Sequence, residues 1–325
     1  MNGVSRIEEL PEPATAGTAL KAVPVPSVGP EVASRGLPVE VGPAPVRTVP
    51  AAALSLVPAA VAPPGIERRP LFGLPMDALD LDEAVQRCMH AVAYGPAIEV
   101  GVLNAAKLVL MRTNRALSDA VSSADLLLAD GQSVVWASRF LGQPLPCRVA
   151  GIDLFTALLA AAERDGRSVY LLGAKPDVLA RTVAEVRRRH PLLRIAGSRD
   201  GYFGDDEAPA VAAAIRATGA ELLFLGMTSP KKETFCARYG QATGARVTHG
   251  VGGSFDVLAG VVRRAPRLWQ VIGMEWLYRV LQEPFRLGPR YLKTNSRFVR
   301  LTLAERRRPT PVPVPVPAVR AGGAV

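Results

Sequence analysis

What most constrains this chain is a repeated unit: a short apolar run closed by turn-forming residues, then a longer segment with helical spacing. SSADLLLADGQ at 122–132 is the plainest case. Its apolar run, 124–129, is broken only by Asp125 and closed by Asp130 and Gly131. Six residues bounded by turn formers read as a buried strand rather than a helix. IEVGVLN at 98–104, SVYLLG at 168–173, ELLFLG at 221–226 and RVTHG at 246–250 repeat the pattern. Helical segments are predicted over 105–114, 132–140, 153–164 and 206–218, with an amphipathic one after the glycine turn at Gly173. Recurring strand–helix units predict an α/β fold built on a Rossmann-like, doubly wound, mainly parallel sheet. In such sheets ligands bind beyond the carboxyl ends of the strands, where Asp130 is the first polar side chain of its unit.

The units occupy about 71–302. Residues 1–70 carry PVPSVGP, VEVGPAPV and VAPPG, which interrupt any periodic element and predict a disordered arm. Residues 303–325 contain PTPVPVPVPAV, a polyproline-type tail. No uninterrupted apolar run reaches the 18 or so residues of a spanning helix, and the start lacks a charged-then-apolar leader. Cys88, Cys147 and Cys236 are widely spaced with no CxxC, against a disulfide framework or structural zinc. The net charge of +10 is concentrated: residues 263–308 hold eleven arginines and one lysine against three glutamates, a net of +9. This stretch is interleaved with Trp269, Trp276, Tyr278, Phe285, Tyr291 and Phe298. A basic, aromatic segment attracts nucleic acid, anionic lipid or a diphosphate, and the domain division expected is 71–263 for the α/β core and 264–302 for a helical basic appendage.

Among candidate site residues, Asp130 suits a general base, and equally suits an N-cap for the helix starting near Gln132. Asn104, at a strand-to-helix junction, can face a ligand or cap the following helix. Gly173 sits at a turn open to nucleotide contact, although a tight turn wants glycine anyway. Lys231, Lys232 and Glu233 fall in the first turn of a helix entered through Pro230. Two lysines oppose the dipole there unless an anion is bound, which points to a phosphate or else to two surface lysines. Asp80-Leu81-Asp82 spells a metal–nucleotide motif, but with Glu83 it reads as a helix-capping box. His249 reads as structural, and His90 and His190 as helix-surface residues.

Taken in order, the pieces resemble the WecG/TagA/CpsF-type glycosyltransferases, glycosyltransferase family 26. The matching stretches are LNAAKL (103–108), ADLLLADGQSVVWASRFLGQPLPCRVAG (124–151), VYLLGAKP (169–176) and GSRDGYF (197–203). They continue with LGMTSPKKE (225–233), GVGGSFDVLAG (250–260), RRAP (263–266) and MEWLYRVLQEPFRLGPRY (274–291). The resemblance implies inverting, metal-independent transfer of a sugar from a UDP-sugar to a polyprenyl-diphosphate-linked sugar, at the inner face of the bacterial cell membrane. It implies Asp130 as base, Asn104, Arg148 and Asp256 in the pocket, and a membrane-associating C-terminal appendage. Arg279, Arg286 and Arg290 are the expected lipid-diphosphate or membrane contacts, Lys232 and Glu233 substrate contacts, and a homo-oligomer is compatible with it. Two positions depart from the family: Val102 stands where threonine is frequent, and Lys232 where PKQE would put glutamine. Two other readings, a non-catalytic scaffold of a membrane assembly and a nucleic-acid-binding protein, rest on the proline-rich ends and the +9 segment; no nucleic-acid module is recognised, so no nucleic-acid partner is expected.

Overall fold

The computed structural model of the protein describes residues 65–307. Most of the arm expected at 1–70, and the tail from 308, therefore lie outside the described residues. The described chain opens with a hairpin, β1 (Arg68–Leu71) and β2 (Leu74–Asp77), which begins three residues before the expected domain boundary. Pro70 pairs opposite Pro75 in it. Next come α1 (Leu81–Ala93), β3 (Ile98–Leu103), α2 (Ala105–Met111), α3 (Arg115–Ser122), β4 (Leu126–Ala129) and α4 (Gln132–Phe140). The chain continues through α5 (Gly151–Arg164), β5 (Ser168–Gly173), α6 (Pro176–Arg189), β6 (Arg194–Arg199) and α7 (Ala208–Ala217). It closes with β7 (Leu222–Gly226), α8 (Lys231–Tyr239), β8 (Val247–Gly250), α9 (Ser254–Leu258), α10 (Arg267–Val271), α11 (Glu275–Gln282) and α12 (Pro284–Arg306).

Strands β3 to β8 form one six-stranded sheet in the order β4-β3-β8-β7-β5-β6, every pair parallel. Alternate residues of each strand feed opposite faces. Val100, Val102, Leu126, Leu128, Leu171 and Phe224 pack with Cys88 of α1, Phe155 and Leu158 of α5, Val178 of α6 and Phe255 of α9. On the other face Leu103, Leu127 and Ala129 meet α2, α3, α4 and the hairpin, while Tyr170, Leu172, Leu223 and Leu225 meet α7 and α8. Helices thus cover both faces, but the order is not the 3-2-1-4-5-6 of the dinucleotide-binding fold. What stands is a mixed α/β fold with a parallel sheet and a C-terminal helical region.

Two features position the strand ends around Asn104 and Asp130. First, the β4 edge is covered by the hairpin through side chains: buried Asp77 accepts from Leu127 N at 2.6 Å and from Arg68 Nε at 2.8 Å. This satisfies an edge amide that would otherwise invite another strand. Second, α2 leaves β3 toward one face while α9 leaves the adjacent β8 toward the other. The crevice between such strands is where ligands sit in open α/β sheets.

Candidate active site

Asn104 ends β3 and is the N-cap of α2, its Oδ1 accepting from Lys107 N at 3.0 Å. An amide used at its oxygen keeps its nitrogen for another partner. Asn104 Nδ2 donates to Asp130 Oδ2 at 3.1 Å. The other carboxylate oxygen, Oδ1, accepts from Gly151 N at 2.9 Å, at the first turn of α5. The alternative reading of Asp130 as the cap of α4 does not hold: Gly131 is the N-cap and no side chain bonds there. Asp130 instead serves α5, because the loop after α4 returns to the sheet and Val149 N donates to Ala129 O at 2.9 Å. Gly131 fits closely here, since a Cβ on it would lie 3.2 Å from that of Asn104. Asp130 is thus held by two donors from two elements, each oxygen with a lone pair left over.

His249 lies beneath this turn, fully buried, with Nδ1 3.2 Å from Val100 O and Nε2 3.3 Å from Gly151 O. Burial pushes its pKa down, and the two carbonyl contacts and Asp130 only partly offset that. A neutral ring has one N–H, so His249 donates to one of the two carbonyls and ties the α5 entry to the sheet. Its structural role is the one expected from the sequence.

A second charged group fills the seam between the apolar clusters on the α2–α8 face. Lys107, Lys232 and Glu233 are 8%, 6% and 7% exposed. Glu233 Oε1 meets Lys107 Nζ at 2.9 Å and Lys232 Nζ at 2.6 Å, and accepts from Ser229 Oγ at 2.8 Å. Lys107 Nζ also donates to Val102 O at 2.6 Å, and Lys232 Nζ to Ser229 Oγ. Burial raises the Glu233 carboxyl, but the two ammonium groups outweigh it and hold the pKa down at about 2. Burial, with Lys107 beside it, lowers Lys232. Glu233 Oε2 is buried with no partner among the described residues. Neighbouring Glu99 is pushed up to about 7, chiefly by burial and then by Asp125 and Glu233. The lysines are not the surface pair the sequence allowed. The stem of Lys232 packs under Gly250, where a Cβ would come within 3.2 Å of it. Lys231 turns elsewhere, its ammonium over the Phe203 ring and donating to Gly201 O at 2.9 Å.

The remaining candidates are spread out. Arg148 Nη1 bonds Glu275 Oε2 of α11 at 2.6 Å, and Arg264 joins Glu275 at 3.2 Å and Asp153 of α5 at 2.9 Å. This ion network pins the start of α11 to the loop and helix that hold Asp130. Asp256 lies in the first turn of α9. Gly173 ends β5, three strand spacings from β3, about 14 Å away. A Cβ there would approach Gly226 C to 2.8 Å, and its φ is +123°, so close strand packing demands this glycine. Arg286 is exposed and paired with Glu283 at 2.8 Å, Arg290 is exposed, and the side chain of Arg279 lies outside those described. Asp80 and Glu83 form the capping box expected, at 2.9 and 2.8 Å. His190 is not a free surface residue: it ends α6 with Nδ1 2.9 Å from Glu163. Sequence reading singled out none of Lys107, Gly151, Ser229 and Glu275, although each lies inside a stretch that carries the family resemblance.

Among the described residues no group of three or more His, Cys, Asp or Glu side chains is placed to hold a metal ion. The stretch from 69 to 311 matches the family described as glycosyl transferase WecG/TagA/CpsF. That span includes the sheet, Asp130 and its two donors, the buried lysine pair and α10 to α12. The chain belongs to the WecG/TagA/CpsF glycosyltransferase family.

Proposed function

We propose that the protein is an inverting glycosyltransferase. It moves a sugar from a UDP-sugar to a polyprenyl-diphosphate-linked sugar, during assembly of exopolysaccharide or another envelope glycan. The observation that carries this is the Asp130 carboxylate at the carboxyl edge of the sheet, held by Asn104 Nδ2 and Gly151 N with acceptor capacity to spare. In a single displacement Asp130 takes the proton of an acceptor hydroxyl while that oxygen attacks the anomeric carbon. The bond from that carbon to UDP breaks, UDP leaves with the electron pair, and the configuration inverts. General-base assistance of this kind is worth roughly 10²–10⁴ in rate. Arg148 lies three residues before Gly151, and we assign it to the departing diphosphate, with Glu275 giving way. Asp256, Lys232 and Glu233 are assigned to the donor side of the pocket, and no metal cofactor enters the proposal.

Exposed Leu268, Ile272, Leu281, Phe285 and Leu292, set among arginines on α10 to α12, support attachment to an anionic bilayer surface. No helix among the described residues is long and apolar enough to cross a membrane. The proposed placement is peripheral, on the cytoplasmic face. The test is UDP release from UDP-glucose, UDP-N-acetylmannosamine and UDP-glucuronate, each with and without a polyprenyl-diphosphate-linked sugar in anionic vesicles. Acceptor-dependent release with at least one donor is expected. Donor binding without transfer in any combination would instead favour a scaffold.

A further inference from the structure

We infer that Lys107 is a positioning residue for the proposed base. Its ammonium and its backbone N–H together fix the turn that aims the Asn104 amide at Asp130. The inference rests on the reading of Asp130 as that base.

An asparagine amide has a donor end and an acceptor end of nearly equal shape, so something must choose which end faces a carboxylate. Lys107 N occupies Oδ1 at 3.0 Å, which leaves Nδ2 as the end that meets Asp130 at 3.1 Å. The side chain of Lys107 secures the same turn from the other side. Its Nζ reaches back to Val102 O at 2.6 Å, two residues before Asn104, bracing the last residues of β3 against the first turn of α2. An ammonium this deeply buried needs a counter-charge. Glu233 supplies it at 2.9 Å, and Glu233 is in turn anchored by Lys232 and Ser229. A continuous path therefore runs from α8, through Glu233 and Lys107, to Asn104 and the carboxylate. Lys107 makes no hydrogen bond or ion pair with Asp130, so its effect must pass through Asn104. An aliphatic side chain would satisfy burial equally well, yet would leave the Val102 carbonyl without its donor and Glu233 with one lysine.

The experiment is a double-mutant cycle of Lys107→Met and Asn104→Ala in the full chain. It is read as kcat and donor KM with whichever UDP-sugar of the panel is turned over fastest and the lipid-linked acceptor. Lys107→Met should lower kcat about tenfold with donor KM within about twofold. Added to Asn104→Ala it should lower kcat no further, because both changes disable one device. A merely structural lysine would instead give losses that multiply. If Lys107→Met does not fold, Lys107→Gln, whose amide is one bond shorter than the ammonium and has no charge to offer Glu233, carries the same cycle with the same criteria. Wild-type kcat in a folded Lys107 variant, or multiplying losses, overturns the inference. Asp130→Asn run in parallel separates the two levels. Undiminished turnover there removes the base itself, whereas an inactive Asp130→Asn beside multiplying Lys107 losses removes only the role of Lys107.

Discussion

Asp130 and Lys232 show what neighbouring residues can and cannot reveal. An aspartate after a strand and before a helix invites a cap on that helix. Its real donor is Gly151, twenty-one residues on, brought back by a loop whose path is set by tertiary packing. Lys232 was legible as an electrostatic conflict in a helix first turn, but its resolution was not. The counter-charge is Glu233 next door, shared with Lys107 from a different element. Glu99, in the same seam, gives a pH test. Its folded pKa, pushed up to about 7 by burial and by Asp125 and Glu233, lies above the ordinary value of 4.5. A raised carboxyl binds its proton more tightly folded than unfolded, so its contribution is full below about pH 4.5 and is lost as pH rises through 7. Glu99→Gln should therefore be more stable than the wild type at pH 8, by on the order of 1 kcal/mol, and no more stable at pH 4. Urea unfolding at the two pH values measures this; equal differences at both would remove Glu99 as the titrating group.

The elements of the sheet were largely legible because each strand is a short apolar run and each helix carries a stripe of period 3.6. Helix α4 falls where predicted, at Gln132–Phe140, and α5 begins two residues earlier than expected. The hairpin was not legible: prolines at 70 and 75 argue against strand, and the two strands persist because side chains rather than a full ladder bind them to β4. The C-terminal segment was read as one appendage ending at 302. Helix α12 instead runs to Arg306, and its far half joins the core, with Phe298 buried against Phe72 at 5.8 Å and Thr302 buried. Phe298→Ala should therefore cost about 3 kcal/mol, seen as a lower urea midpoint. The proposed membrane contact is assigned to the other half. Replacing Leu281, Phe285 and Leu292 together by serine should leave the midpoint nearly unchanged and abolish flotation with anionic liposomes. Flotation equal to the wild type would move the membrane contact elsewhere.

At the scale of the whole molecule, the sheet order divides the work. The β3–β8 boundary, where helices depart to opposite faces, carries Asn104, and beside it Asp130, while the β5 end with Gly173 lies further along the same edge. The Arg148–Glu275–Arg264 network then brings the basic C-terminal helices to the same end of the fold. Under the proposed function, this is the end at which the nucleotide-sugar and the membrane-borne acceptor meet. This convergence was visible in the sequence only through the resemblance, since spacing alone says nothing about which strand ends adjoin. The most direct test of the central claim is kcat of Asp130→Asn in the lipid-linked acceptor assay, with donor affinity measured on the same preparation. The substitution disturbs one of the two bonds that hold the carboxylate, at a cost of about 1 kcal/mol of stability, so the variant should stay folded. The expected result is a fall in kcat of about 10² or more with donor affinity unchanged. Turnover near that of the wild type would contradict the account.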